Sequence, residues 1–168
     1  NSRAWRAYAV RHAMISEQYR VAKIDQYSDV KTNAALAAEG TEMLDRLTSH
    51  CNEWYLFHGT NSRNARKICS TSFKMSLAGD TAGTLYGNGT YLCESITKAD
   101  EYAKPNEEGL FATLLCRAIG GRVKYTDEVE PEKEELMKSC TEGPYDCVLG
   151  DREICRGTYR EFIFYDSE

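Results

Sequence analysis

Trp54-Tyr55-Leu56-Phe57-His58-Gly59-Thr60 is an apolar run too short for a helix, closed by a histidine, a glycine and a hydroxyl residue. It reads as a buried strand that ends at a site, where the glycine lets a ligand approach the backbone. Two segments far away in sequence share this character. In Leu85 to Tyr102, LYGNGTYLCESITKADEY, Gly87 and Gly89 bracket Asn88 in a turn, and Thr90, Tyr91 and Leu92 then start an extended run. A helix should follow, with Ser95 as its cap, Lys98 and Ala99 favouring helix, and Tyr102 facing back toward Ser95 and Lys98. In Tyr159 to Asp166, YREFIFYD, a strand over Phe162 to Tyr165 carries the carboxylate Glu161 near its start. A charged residue beside so apolar a run needs a reason. Polar groups at or beside three strands are what builds a cleft.

The rest of the chain sets bounds. Its 168 residues suit one domain, enough to bury roughly two thirds of the surface an unfolded chain exposes. With 26 acidic against 21 basic residues the net charge is -5, which argues against a dedicated nucleic-acid surface. No apolar run approaches the length of a membrane span, and the opening residues do not read as a signal peptide. Seven cysteines, Cys51, Cys69, Cys93, Cys116, Cys140, Cys147 and Cys155, form an odd set without a CxxC pair. They read as reduced thiols of a nuclear or cytoplasmic protein.

Residues 1–50 read as mainly helical and 51–168 as strand-rich. Trp5, Tyr8, His12, Ile15 and Tyr19 recur at helical spacing, which predicts an amphipathic helix packed on the domain. Gly40-Thr41 is expected to open a second short helix through Met43, Leu44 and Leu47, with Thr41 as cap. A helix is predicted over 61–69, with Ala65 and Ile68 inward and Arg63, Arg66 and Lys67 toward water. Leu110 to Ala118, Gly121 to Tyr125 and Tyr145 to Leu149 read as strands. Asp127 to Glu135 reads as an acidic loop leading into a short helix, and Gly150 to Thr158 as a loop.

Taken together, the three strand segments resemble the catalytic domain of the poly(ADP-ribose) polymerase family, the diphtheria-toxin-like ADP-ribosyltransferases. That family is marked by a His, a Tyr and a Glu on three separate strands, which fall here on His58, Tyr91 and Glu161. His58-Gly59-Thr60 matches a His-Gly-Ser/Thr pattern, and Gly87-Asn88-Gly89-Thr90-Tyr91 a Gly-x-Gly-x-Tyr pattern. Ordered matches of this kind are far more specific together than singly. The likeness runs from about Trp54 to the C-terminus, and more weakly over Asn1 to Tyr19. It implies an α+β architecture, the ADP-ribosyltransferase fold: a split antiparallel β-sandwich with flanking helices and an N-terminal helix. It also implies one catalytic domain over 1–168, with NAD+ in the cleft between the sheets.

The resemblance implies chemistry as well. NAD+ is the co-substrate, its nicotinamide–ribose bond is cleaved, and ADP-ribose passes to protein acceptors or to the enzyme itself. Gly59 offers backbone N–H and C=O to the carboxamide, and Tyr91 and Tyr102 sandwich the pyridinium ring. His58 bonds the adenine-side ribose, with Thr60 and Asn64 beside it. Lys74 stands where some members place an arginine near the adenine, keeping charge but losing planar stacking. Glu161 accepts from the 2′-hydroxyl of the nicotinamide ribose and stabilises developing positive charge, and Lys98 orients Glu161 or the substrate hydroxyl. Ser76 to Leu85 corresponds to the segment that covers the cleft, and Gly150 to Thr158 to the region that organises the acceptor. No metal is expected: some members carry zinc, but the loop concerned, Ala103 to Leu110, has no Cys or His.

Departures from the family pattern leave alternatives open. Ala99 aligns where a serine often bonds the carboxamide, so Ser95 or Thr97 substitutes, or nicotinamide-like inhibitors are held more weakly. Relatives usually continue into one more strand beyond the position of Glu168, so the sequence is expected to be part of a longer protein. A glutamate at the third position is associated with elongation, so Glu161 permits poly(ADP-ribose) without establishing it. An NAD glycohydrolase, in which water replaces the acceptor, and a non-catalytic NAD or ADP-ribose binding module are the other readings. A nucleic-acid acceptor stays open, and no membrane partner is expected.

Overall fold

The computed structural model describes residues 2–74 and 84–166. Its elements are α1 (Ser2–Val21), α2 (Lys31–Ala38), β1 (Glu53–Thr60), α3 (Ser62–Thr71), β2 (Thr90–Cys93), α4 (Ile96–Asp100), β3 (Ala112–Ile119), β4 (Val123–Thr126), α5 (Lys133–Thr141), β5 (Cys147–Asp151), α6 (Arg152–Arg156) and β6 (Arg160–Phe164). The strands lie in the order β3-β1-β2-β6-β5-β4, antiparallel except for the parallel β4–β5 pair.

One seam organises this sheet. β1 pairs with β3 along its whole length, from Glu53↔Ile119 to Thr60↔Ala112, yet meets β2 only at Phe57↔Cys93. Past that rung the His58 side chain, not a backbone N–H, reaches the Tyr91 carbonyl. The sheet therefore falls into two blocks, β3–β1 and β2–β6–β5–β4. This is the split, mostly antiparallel α+β arrangement expected from the family resemblance, with one rung still joining its halves.

The apolar run that opens β1 is buried as its composition requires. Trp54 and Leu56 pack with Leu92, Leu149 and Phe162, and the Trp54 indole N–H donates to the Tyr27 carbonyl at 3.0 Å, so the one polar atom of that side chain is satisfied. β1 also runs further than the aromatic run, through His58 and Gly59 to Thr60. α1 docks through Ile15 and Tyr19 onto Cys51 and Ile119. Trp5, expected on the packed face, is instead 56% exposed. It stacks on Tyr8 and lies over the Arg117 guanidinium, one turn beyond the end of the core.

Gly40-Thr41 ends a helix instead of opening one. α2 precedes it, Gly40 takes φ +65°, and the N–H groups of Gly40 and Thr41 donate to the carbonyls of Ala37 and Leu36. That is the Schellman termination that favours glycine. Thr41 is no cap; its hydroxyl turns back to the Leu36 carbonyl, and two 3-10 turns, Leu44–Arg46 and Ser49–Cys51, follow before β1. α2 carries no side-chain N-cap to announce it. Its start is set by tertiary contacts, since the Thr32 hydroxyl donates to the Glu94 carbonyl and the Lys31 N–H to the Glu94 carboxylate. The expected loop over 150–158 contains α6, whose cap is the Asp151 carboxylate accepting from the Ile154 N–H.

Candidate active site

The site is built where the seam opens. α4 follows β2 directly and packs back onto β1. The contact is so close that a Cβ on Gly59 would fall 1.6 Å from the Ala99 carbonyl oxygen, so only glycine fits there. Ala99 is fully buried, Ser95 half-buried and Thr97 exposed. Ser95 occupies the N-cap position but makes no capping hydrogen bond. Tyr102 lies just beyond α4, with the Lys98 ammonium 5.0 Å from its ring centroid. A parallel bridge between Asn61 and Lys104 then carries the chain back to the end of β1.

Glu161 lies in this arrangement on β6, with Cys93 of β2 and Gly150 of β5 as its cross-strand neighbours. It is 2% exposed. The Tyr102 hydroxyl donates to its Oε1 at 3.0 Å. Lys98 Nζ stands 3.8 Å from Oε1, and an Arg152 nitrogen 3.7 Å from Oε2. Lys98 also donates to Glu101 at 2.6 Å. Burial opposes its charge, but the Glu101 hydrogen bond and the Glu161 charge outweigh that and raise its pKa. Burial first, then the Glu161 charge, pushes the Tyr102 phenol up to about 12. Both groups therefore keep their protons near neutrality and present donors to the carboxylate.

His58 and Tyr91 form a second pair. The His58 Nδ1–H donates to the Tyr91 carbonyl at 2.9 Å, and the Phe73 ring meets the imidazole edge-on at 5.1 Å. Burial lowers the His58 pKa, only partly offset by the Tyr91 carbonyl. The ring is thus neutral at pH 7, and its bonded Nδ1 leaves Nε2 as a hydrogen-bond acceptor. The Tyr91 hydroxyl is tied into the preceding turn, donating to the Gly87 carbonyl at 2.8 Å and accepting from the Tyr86 N–H at 3.0 Å. That bond fixes the tyrosine ring at the edge of the seam.

Of the residues singled out in the sequence, Tyr102, Lys98 and Glu161 form one cluster, His58 and Tyr91 an adjacent pair, and Gly59 joins the two halves through Ala99. Thr60 ends β1 half-buried. Asn64 and Lys74 are exposed, the first on α3 and the second next to Phe73. Of the covering segment Ser76 to Leu85, residues 76–83 lie outside the described residues. Three contributors escaped the sequence reading. Glu101 follows Lys98 at i+3, a spacing that does signal an ion pair on a helix. Arg152 and Tyr86 reach Glu161's surroundings only through the β5–β6 pairing, which no local pattern reports. Among the described residues no group of three or more His, Cys, Asp or Glu is placed to hold a metal, and no helix is long and apolar enough to cross a membrane.

A groove of about 520 Å³ lies elsewhere, between α1, the end of α3 and β3. Trp5, Ile15, Leu92, Leu115 and Phe164 line it, and it contains none of His58, Gly59, Tyr102 or Glu161. Arg11, Arg117, Asp146 and Asp166 stand among its otherwise mainly apolar lining.

The sequence matches the family model described as the poly(ADP-ribose) polymerase catalytic domain across residues 6–168. The chain therefore belongs to the poly(ADP-ribose) polymerase catalytic-domain family, whose class is the NAD+-dependent ADP-ribosyltransferases. Among curated proteins it is similar to the poly [ADP-ribose] polymerase tankyrase of Caenorhabditis elegans, 28% identical over 115 residues. That match covers 67% of this chain and 5% of the worm protein.

Proposed function

We propose that this chain cleaves the nicotinamide–ribose bond of NAD+ and transfers the ADP-ribose to protein acceptors, itself among them, with residues 1–168 acting as one catalytic domain. The observation that carries the reading is Glu161: an almost fully buried carboxylate at the opened seam, with one hydrogen bond from Tyr102 and two cations beyond hydrogen-bonding reach. A carboxylate so placed has lone pairs to offer a ribose hydroxyl and a negative charge to oppose the positive charge that grows as nicotinamide leaves.

The other residues take parts that suit their surroundings. Gly59 binds the carboxamide through its backbone, at the end of β1 that β2 no longer pairs. Tyr91 and Tyr102 hold the pyridinium ring. Neutral His58 accepts from the adenine-side ribose through Nε2, with Thr60, Asn64 and Lys74 along the same edge. Lys98 steadies Glu161 through Oε1. Glu161 can also polarise the 2′-hydroxyl of a previously added unit, and on that ground the proposal extends to elongation into poly(ADP-ribose). The free cysteines suit a reducing nuclear or cytoplasmic setting.

Incubation with labelled NAD+, beside Glu161→Gln, followed by a denaturing gel and intact mass, tests the reading. A mass step or ladder in the wild type that the variant loses is the expected result, the ladder marking elongation. Free ADP-ribose with unmodified protein would instead make the domain a glycohydrolase. An absence of released nicotinamide would overturn the enzymatic reading altogether.

A further inference from the structure

Two buried polar atoms among the described residues have no hydrogen-bond partner, the Arg152 Nε and the Tyr86 hydroxyl. An orphaned buried donor forfeits the hydrogen bonds it made to water, so it is retained only where something is gained. Both orphans belong to the surroundings of Glu161. Tyr86 is wholly buried. Its ring lies over the α-carbon of Gly150, where any Cβ would run into the ring and its hydroxyl. Gly150 is the cross-strand partner of Glu161, so their side-chain directions share one face of the sheet. The phenol's ionisation is opposed by burial first and by the Glu161 charge next. Arg152 opens α6 immediately after β5, and its guanidinium stands 3.7 Å from Glu161 Oε2. That is ion-pair distance but longer than a hydrogen bond.

The two oxygens of Glu161 are thus treated differently. Oε1 has a hydrogen bond from Tyr102, while Oε2 faces a guanidinium that stops short of contact. A small rotation of the carboxylate or an advance of Arg152 converts the long pair into a charge-assisted hydrogen bond. We propose that Arg152 and Tyr86 are positioning residues for Glu161: they take Oε2 when the ribose hydroxyl displaces Tyr102 from Oε1, and so fix the plane of the carboxylate against the reacting sugar. Neither residue touches substrate in this scheme. Lys98 and Tyr102, on the opposite side of the carboxylate, hold the resting orientation, and Arg152 and Tyr86 hold the engaged one. Two arms of this kind account for why the Arg152 Nε and the Tyr86 hydroxyl stand unsatisfied before substrate arrives.

This inference rests on the transferase reading above, and the test separates their failures. Nicotinamide release and protein labelling are measured at varied NAD+ for the wild type, Arg152→Gln, Arg152→Lys and Tyr86→Phe, with thermal melting of each. Arg152→Gln is expected to lower kcat about tenfold while leaving the KM for NAD+ within about twofold, since the lost contact forms only in the engaged state. Arg152→Lys should recover most of that loss by supplying one cationic donor. Tyr86→Phe, which keeps the ring packed on Gly150, should lower kcat by roughly threefold with an unchanged melting temperature. Wild-type kcat in Arg152→Gln would overturn the inference, as would a raised KM with intact kcat, which would make Arg152 a substrate-binding group. Equal losses in Gln and Lys variants together with a lowered melting temperature would make its role structural. A wild type that releases no nicotinamide would overturn the transferase reading and this inference with it, whereas an active wild type matched by all three variants would overturn this inference alone.

Discussion

Glu53 and Glu161 are glutamates on inner strands of the same sheet, each 2% exposed, and they are held in opposite ways. Glu53 is saturated. Arg117 Nε donates to Oε1 at 2.6 Å, the Tyr8 hydroxyl bonds the same oxygen, the Thr48 N–H donates to Oε2 at 2.6 Å, and His12 Nε2 lies 3.3 Å away. Burial opposes its ionisation, but these donors outweigh burial and hold its carboxyl below the usual range. Glu94 is saturated in the same way, by Arg160 at 2.7 and 2.8 Å and by the Lys31 N–H at 2.7 Å. Glu161 has one hydrogen bond, two distant cations and two idle donors nearby. A saturated buried carboxylate is a strut, here joining α1 to the sheet or β6 to β2. One left with open valences has its capacity reserved for something else.

The sharpest way to break this comparison is to neutralise each carboxylate in turn. Glu161→Gln should lower ADP-ribose transfer by about a hundredfold or more while its urea midpoint stays near the wild type. Glu53→Gln should leave turnover per folded molecule nearly intact but cost about 2 kcal/mol of stability, because the charge-assisted hydrogen bonds that Arg117, Tyr8 and Thr48 make to the buried carboxylate are weakened. Urea unfolding followed by tryptophan fluorescence, paired with nicotinamide release, reads both. If the two variants lose activity and stability in equal measure, the distinction between strut and site falls.

A smaller effect is expected at Gly59. Gly59→Ala places a methyl group against the Ala99 carbonyl, so α4 must back away and carry Lys98 and Tyr102 with it. Transfer should fall by roughly tenfold, a misplacement effect of the kind expected when a positioning element shifts. Wild-type kinetics in this variant would mean that α4 is not held to β1 by that contact.

The smallest effect concerns His58. Its folded pKa lies below the ordinary value of 6.5. As pH falls through 6.5, the unfolded chain therefore takes up a proton that the folded protein refuses. The unfolded state binds more protons there, so stability rises with pH and declines on acidification. Chemical denaturation between pH 7 and pH 5 should show a steeper loss for the wild type than for His58→Asn. Parallel slopes would show that the imidazole is not held neutral by its burial.

Much of the site could be read in one dimension, for identifiable reasons. Trp54 to Thr60, Thr90 to Cys93 and Arg160 to Phe164 form strands because their apolar runs have one way to be buried, and the polar residues beside them are then left near the seam. Lys98 follows from the helix expected after β2, whereas α4 ends at Asp100 and Tyr102 lies in the turn beyond it. What could not be read depends on partners far along the chain. α2 has no capping side chain and is started by Glu94, so its existence is a tertiary fact. Gly40 signalled a helix boundary correctly but not its direction, because a glycine after a helix and one before a helix look alike until the preceding alanines are weighed. Trp5 carries the helical period beyond the point where the core ends, so periodicity alone places it inside.

Chain order and local pattern placed the candidate side chains: a histidine and glycine closing one strand, a tyrosine in the next and a glutamate opening the last. Short-range burial rules suffice for that, because an apolar strand with a polar end has few other ways to sit in a small domain. The tertiary structure alone decided that β1 and β2 part after a single rung, that α4 presses on Gly59, and that Arg152 and Tyr86 flank Glu161. These rest on strand register and on distances of a few tenths of an ångström between residues far apart in sequence, which no local spacing encodes.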